Sequence, residues 1–180
     1  PITLIIGPIE RALKLSYNPQ VIEQLHFVER NSKYLLSLVN QLMDFRKVES
    51  GKLEIVKSRN NFLKFANELI IPFEVFAKER DITVKRYFRM PSPEISYDEE
   101  AMHKVLTNLL SNAIKFSNEN SEVLVKMEEQ GDTVVVSVKD SGCGIDEEGQ
   151  QKLLHTDTHF STFGTNNEEG SGLGLLLCQD

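Results

Sequence analysis

The sequence predicts an α+β protein: a helical hairpin over residues 1–50, followed by a mixed α/β domain over 51–180. Three patterns predict it. Apolar residues recur at steps of three and four through the first part of the chain. Beyond it, alternating apolar and polar runs are interleaved with further helical patterns. Gly131-Asp132 then joins two of the alternating runs, a hairpin signal.

The elements follow in order. Ile2, Ile5, Ile6, Ile9, Ala12 and Leu13 trace one face of an amphipathic helix. The stretch SYNPQ, Ser16 to Gln20, ends it, because Asn-Pro favours a turn and a new helix start. A longer helix is expected from Val21 to Val48. Leu25, Val28, Ser32, Leu35, Val39 and Leu42 form a heptad seam, widened by Leu36, Leu38, Met43 and Phe45. That stripe exceeds what one partner helix covers. The expectation is pairing with a second copy into a four-helix bundle, with packing on the chain's own second domain as the alternative.

In the second domain, KLEIVK alternates as a strand does. A helix is expected from Asn61 to Glu79 through Phe62, Phe65, Leu69, Phe73 and Phe76, then a strand at ITVKRYF. Tyr97 to Phe116 reads as a helix with Asp98 near its start. EVLVKMEEQGDTVVVSVKD reads as two strands. Helices and strands in this order suggest a sheet with helices on one face.

Composition limits the function. The 180 residues are 40% hydrophobic and 26% charged, ordinary for a globular protein, and their net charge of −7 argues against general nucleic-acid binding. The 2 cysteines, Cys143 and Cys178, make no disulfide framework and suit a reducing cytosol. There is no apolar run of membrane-spanning length, so no membrane contact is expected of this stretch. Helical patterns already run at Pro1 and are still running at Asp180, so the chain is expected to be a fragment, truncated at its C-terminus.

Three short motifs carry chemistry. NLLSNAIKF, Asn108 to Phe116, places Asn108 and Asn112 one helical turn apart, with Lys115 beyond them. Two amides on one stripe of an otherwise apolar helix need polar partners. DSGCGI, Asp140 to Ile145, follows a strand. Its Gly142 and Gly144 allow close backbone approach, and a carboxylate at Asp140 could accept from an exocyclic amine, while D-x-G-x-G also fits a plain tight turn. EEGSGLGLLL places Gly170, Gly172 and Gly174 before a helix, a ready anion site. No Gly-Lys-Ser/Thr follows, so it is not a P-loop, and no strand opens it, so it is not a dinucleotide fingerprint.

Together and in this order, the three motifs resemble the N, G1 and G2 boxes of sensor histidine kinases, within the gyrase, Hsp90, kinase and MutL superfamily. PITLIIGPIE is similar to the tail of the kinase H box. QLMDFRKVESGKLEI is similar to the passage from dimerisation helix to catalytic domain, and HFSTFGTNNEEGSGLGLLLCQD to the lid of hybrid kinases. The resemblance implies a Bergerat α/β sandwich that binds ATP with Mg²⁺. It implies that Asn112 coordinates the metal, while Asn108 acts in catalysis by positioning the γ-phosphate or the incoming imidazole. Lys115 would contact phosphate and Phe116 would cover the adenine. Asp140 would accept from the adenine amine beside Gly142, Gly144 and Ile145, and the Gly170, Gly172, Leu173 and Gly174 segment would close over the triphosphate.

None of His26, His103, His155 and His159 stands in an H-box context, so the phosphoacceptor is expected upstream of Pro1. The partners implied are a second copy through the hairpin and a response-regulator receiver domain. A cytoplasmic location is implied for this stretch, which leaves room for an inner-membrane sensor as the intact protein. The chain departs from the family's usual lid at Leu154, His155 and Glu169, changes that bear on rate more than on binding. Two other functions remain as alternatives: a degenerate, nucleotide-sensing dimerisation module, and a gyrase- or Hsp90-type ATPase. In the latter group a Glu usually stands one turn before the metal asparagine, where this chain has Asn108.

Overall fold

The computed structural model describes residues 2–51, 54–91, 93–152, 174, 175 and 178. The chain forms two compact units, Pro1–Leu53 and Glu54–Asp180.

The first unit is a helical hairpin. Helix α1 (Ile2–Leu15) is followed by α2 (Pro19–Glu49). Asn18 caps α2 by accepting from the Gln20 amide at 3.0 Å, and Pro19 takes the first position, where a missing N–H costs nothing. Lys33 bridges Glu29 at 2.6 Å on its own helix and reaches Glu10 of α1 at 3.9 Å. The two helices are unequal. At 1.5 Å per residue, α1 with 14 residues is about 21 Å long and α2 with 31 about 46 Å. Much of α2 therefore extends past its hairpin partner. Leu35, Val39, Leu42 and Met43 are all exposed, at 41–56% of their surface.

The second unit is α+β. Strand β1 (Ser58–Asn61) pairs antiparallel with β3 (Glu94–Tyr97). A second sheet has the order β2-β4-β5, with β2 at Thr83–Arg89, β4 at Glu122–Gln130 and β5 at Thr133–Lys139. Strand β2 runs parallel to β4 in the register Val84↔Val123, and β4 runs antiparallel to β5 around Gly131, whose φ of 62° suits glycine. Helices α3 (Phe62–Lys78) and α4 (Glu99–Phe116) complete the core, and a short α5 (Glu147–Lys152) follows the sheet. Val123, Val125 and Met127 of β4 are fully buried, together with Phe62 and Ile70 of α3 and Leu106, Leu110 and Ile114 of α4. Among the described residues, no helix is long and apolar enough to cross a membrane.

The structure corrects two local expectations and adds one strand. Residues 54–57 of KLEIVK are not a strand; the strand is the polar segment Ser58–Asn61, fixed by its ladder to β3 rather than by propensity. That partner strand, Glu94–Tyr97, has only Ile95 and Tyr97 to face the core, too short a pattern to stand out. Tyr97 belongs to β3 and not to α4, because Asp98 caps the helix and sets its start at Glu99.

Candidate nucleotide-binding site

Helix α4 carries the site. Asp98 starts it, accepting from the Ala101 amide at 2.9 Å, and Glu99 and Glu100 complement the positive end of the helix. The same carboxylate accepts from the Val56 amide at 2.7 Å and so ties the segment entering the domain to this helix. These backbone bonds, from Ala101 first and Val56 second, hold the Asp98 carboxyl below the usual range.

Leu106, Leu110, Ala113 and Ile114 bury one face of α4. At 100° per residue, Asn108, Asn112 and Lys115 fall roughly on the opposite face. All three are nonetheless half-buried. Part of the cover over Asn108 is Gly174. Gly174 lies so close that a methyl group in its place would overlap the Asn108 carboxamide. Cys178, one turn further, accepts from Asn108 Nδ2 at 3.3 Å and donates to the Gly174 carbonyl at 3.2 Å. Burial pushes the Cys178 thiol up, opposed by the Asn108 bond.

The DSGCGI loop joins the other end of α4. Ser117, buried directly after the helix, forms an antiparallel bridge with Gly142. Asn118 Nδ2 donates to the Ser141 carbonyl at 3.3 Å, and the Ser141 hydroxyl donates to the Glu122 carbonyl at 3.3 Å. Within the loop, Asp140 Oδ1 accepts from the Gly142 amide at 2.9 Å, and Gly144 takes a φ of 70°. Asp140 and Ile145 are exposed, and Lys115 Nζ lies 5.2 Å from the Phe116 ring centre. Asp146 accepts from the Gly149 amide at 2.8 Å and opens α5.

Asn108, Asn112, Lys115 and Phe116 thus share α4, Gly174 rests on its first asparagine, and Gly142 is bolted to its C-terminal end. Gly170, Gly172, Leu173, Leu154, His155, His159 and Glu169 lie outside the described residues. His26 and His103 are exposed helix positions, and His26 faces Glu29 at 3.4 Å. Ser117, Asn118 and Ser141 carry no chemical signature in the sequence. Cys178 was discoverable, since it stands four residues after Gly174 and so returns to the same side of a helix.

Residues 97–180 match the family model described as "Histidine kinase-, DNA gyrase B-, and HSP90-like ATPase". The second unit is therefore an ATP-binding domain of that superfamily. Over its whole length the chain is 29% identical to "Histidine kinase P4" of Formosa agariphila and 28% identical to the autoinducer 2 sensor kinase/phosphatase LuxQ of Vibrio vulnificus. The family model and these relatives together support a fragment of a sensor histidine kinase. It is also 27% identical, over 99% of its length, to the signal transduction histidine-protein kinase BarA of Escherichia coli K12. The chain spans 13, 22 and 20% of the lengths of P4, LuxQ and BarA.

Solved structures agree. The histidine kinase AdeS of Acinetobacter baumannii superposes with a TM-score of 0.65 at 17% identity, over 98% of this chain and 81% of that one. At that identity the likeness shows the fold alone. The nucleotide-free catalytic domain of the histidine kinase ThkA matches at 28% identity and a TM-score of 0.58, over 71% of this chain and 78% of that one. ThkA in complex with the response regulator TrrA matches with a TM-score of 0.61 at 20% identity, over 93% of this chain and 54% of that one.

Proposed function

We propose that the chain is the dimerisation hairpin and catalytic domain of a hybrid sensor histidine kinase. In the intact protein it would transfer the γ-phosphoryl group of ATP to a histidine upstream of residue 1, and from there to a receiver aspartate. The bond from the γ-phosphorus to the bridging oxygen breaks, a phosphorus–nitrogen bond forms at the imidazole, and ADP leaves. The observation that carries this reading is the contact between Gly174, the last glycine of the third motif, and the Asn108 carboxamide of α4.

Phosphoryl transfer is mainly positioning and charge neutralisation. Lys115 would supply positive charge to the phosphates. Asp140, exposed at the end of β5, would accept from the adenine amine beside Ile145, and Phe116 would cover the ring. Among the described residues no three His, Cys, Asp or Glu side chains gather to hold a metal ion. Mg²⁺ commonly takes one or two side-chain oxygens and completes its shell with phosphates and water, so the half-buried Asn112 amide suits it. Bound there, the ion would neutralise phosphate charge. Asn108 stands where gyrase- and Hsp90-type ATPases use a glutamate base, and an amide cannot take a proton from water. This favours the kinase over the ATPase.

The exposed stripe of α2 supports pairing with a second copy, and the ThkA–TrrA complex supports a receiver domain as partner. ATP as donor supports a cytoplasmic place for the domain. The direct test is Asn112→Ala, which should abolish Mg²⁺-dependent ATP binding in calorimetry while the circular dichroism spectrum stays that of the parent. Undiminished Mg-ATP affinity in a folded variant would remove Asn112 from the metal site.

A further inference from the structure

A half-buried cysteine is usually a small apolar filler. Cys178 is placed differently. Its sulfur accepts from Asn108 Nδ2 at 3.3 Å, and its thiol hydrogen is directed to the Gly174 carbonyl, 3.2 Å away. Because the hydrogen is committed to that carbonyl, only a sulfur lone pair faces Asn108. A lone pair accepts from the amide NH₂ and repels the amide oxygen. The arrangement thus distinguishes the two ends of a carboxamide that would otherwise fit either way round. Burial also keeps the thiol protonated at neutral pH, so the donor to Gly174 persists.

We propose that Cys178 is a positioning residue for phosphoryl transfer: its thiol fixes which way the Asn108 carboxamide faces and ties that choice to the seating of Gly174. The inference rests on the reading of Asn108 given above. Cys178 itself need not touch the nucleotide. Leu175, whose carbonyl accepts from the Cys178 amide at 3.1 Å, holds the turn that returns the sulfur to α4. An asparagine free to rotate would spend part of its time with the wrong end toward the reacting groups, which lowers turnover without weakening the binding groups elsewhere in the site.

The test uses the intact kinase and two readouts, autophosphorylation kinetics and ADP affinity by calorimetry. Losing one such hydrogen bond, Cys178→Val should lower kcat about three- to tenfold and leave KM for ATP and Kd for ADP within about twofold. Cys178→Ser, which keeps both a donor and an acceptor, should restore turnover. Cys178→Ala replaces the valine variant if the larger side chain prevents folding. In an Asn108→Ala background, removing the thiol should cost nothing further. Three results would overturn the inference: losses that add in the double variant, a serine variant as slow as the valine one, or KM and Kd rising as far as kcat falls. If Asn108→Ala leaves kcat unchanged, the role of Asn108 itself fails, and the inference with it.

Discussion

The Phe116 carbonyl and the α-carbon of Gly142 meet so closely that a methyl group has no room between them. Two backbone segments are in contact here, and neither can swing aside as a side chain would. The bridge from Ser117 to Gly142 holds the contact from one side, and the Asp140 carboxylate closes it from the other. Gly142→Ala should therefore displace the loop and reduce ADP affinity about tenfold or more, the effect of a large packing clash. Gly144, at φ 70° in open space, faces only backbone strain. Gly144→Ala should cost about 1–2 kcal/mol and weaken ADP less. Calorimetry on the two variants ranks them; equal losses would show that the Phe116 contact has no special part in holding the loop.

Asp140 serves two ends at once, since one carboxylate oxygen already holds the Gly142 amide at 2.9 Å. Asp140→Asn keeps an oxygen for that amide, whereas Asp140→Ala does not. The asparagine variant should retain the parent melting temperature and lose part of the preference for ATP over GTP. The alanine variant should lose both. Competition binding with the two nucleotides decides the matter, and an unchanged preference in Asp140→Asn would remove the charge from adenine recognition.

Asp98 sets a pH dependence. Its backbone bonds hold its carboxyl below the ordinary value of 3.8 in the folded chain, so the unfolded chain binds the proton more readily. Stability from this group is complete above that value and is lost as pH falls through the lower, folded value. Asp98→Asn still accepts at a helix start but does not titrate there. Thermal melts taken down through the acid range should show a shallower acid limb for this variant than for the parent. Parallel limbs would mean that other carboxylates govern acid unfolding.

The exposed stripe of α2 should be a dimer interface. Leu35→Glu with Val39→Glu should give monomers in sedimentation while ADP affinity stays unchanged, because both positions belong to the hairpin unit. A parent chain that remains monomeric at high concentration would count against the bundle.

The sequence displayed the long elements because each carries a wide apolar face, buried in α3 and α4 and largely exposed on α2. The periodicities of α2, α3 and α4, and the two strands around Gly131, stand at or within a few residues of their expected places. The β1–β3 ladder did not show, since polar Ser58–Asn61 becomes a strand only when Glu94–Tyr97 is beside it. In the candidate site, the chemically distinctive residues stood out in the sequence: paired amides on one helix, and a carboxylate two residues before a glycine. The fastening was not. Asn118 holding the Ser141 carbonyl, or Ser117 bridging Gly142, depends on backbone groups that every residue possesses.

Strands β4 and β5 meet across a tight turn, but Thr83 of β2 finds Glu122 of β4 only after the chain between them, which includes all of α4, has closed into a loop. Local hairpins form early and distant parallel pairs late, because the entropy of loop closure comes before any contact rewards it. The asparagine helix lies inside that late-closing loop. A growing or refolding chain should thus acquire its sheet hairpin first and its capacity for nucleotide last, in the same event that completes the domain. A half-assembled domain would then hold no ATP.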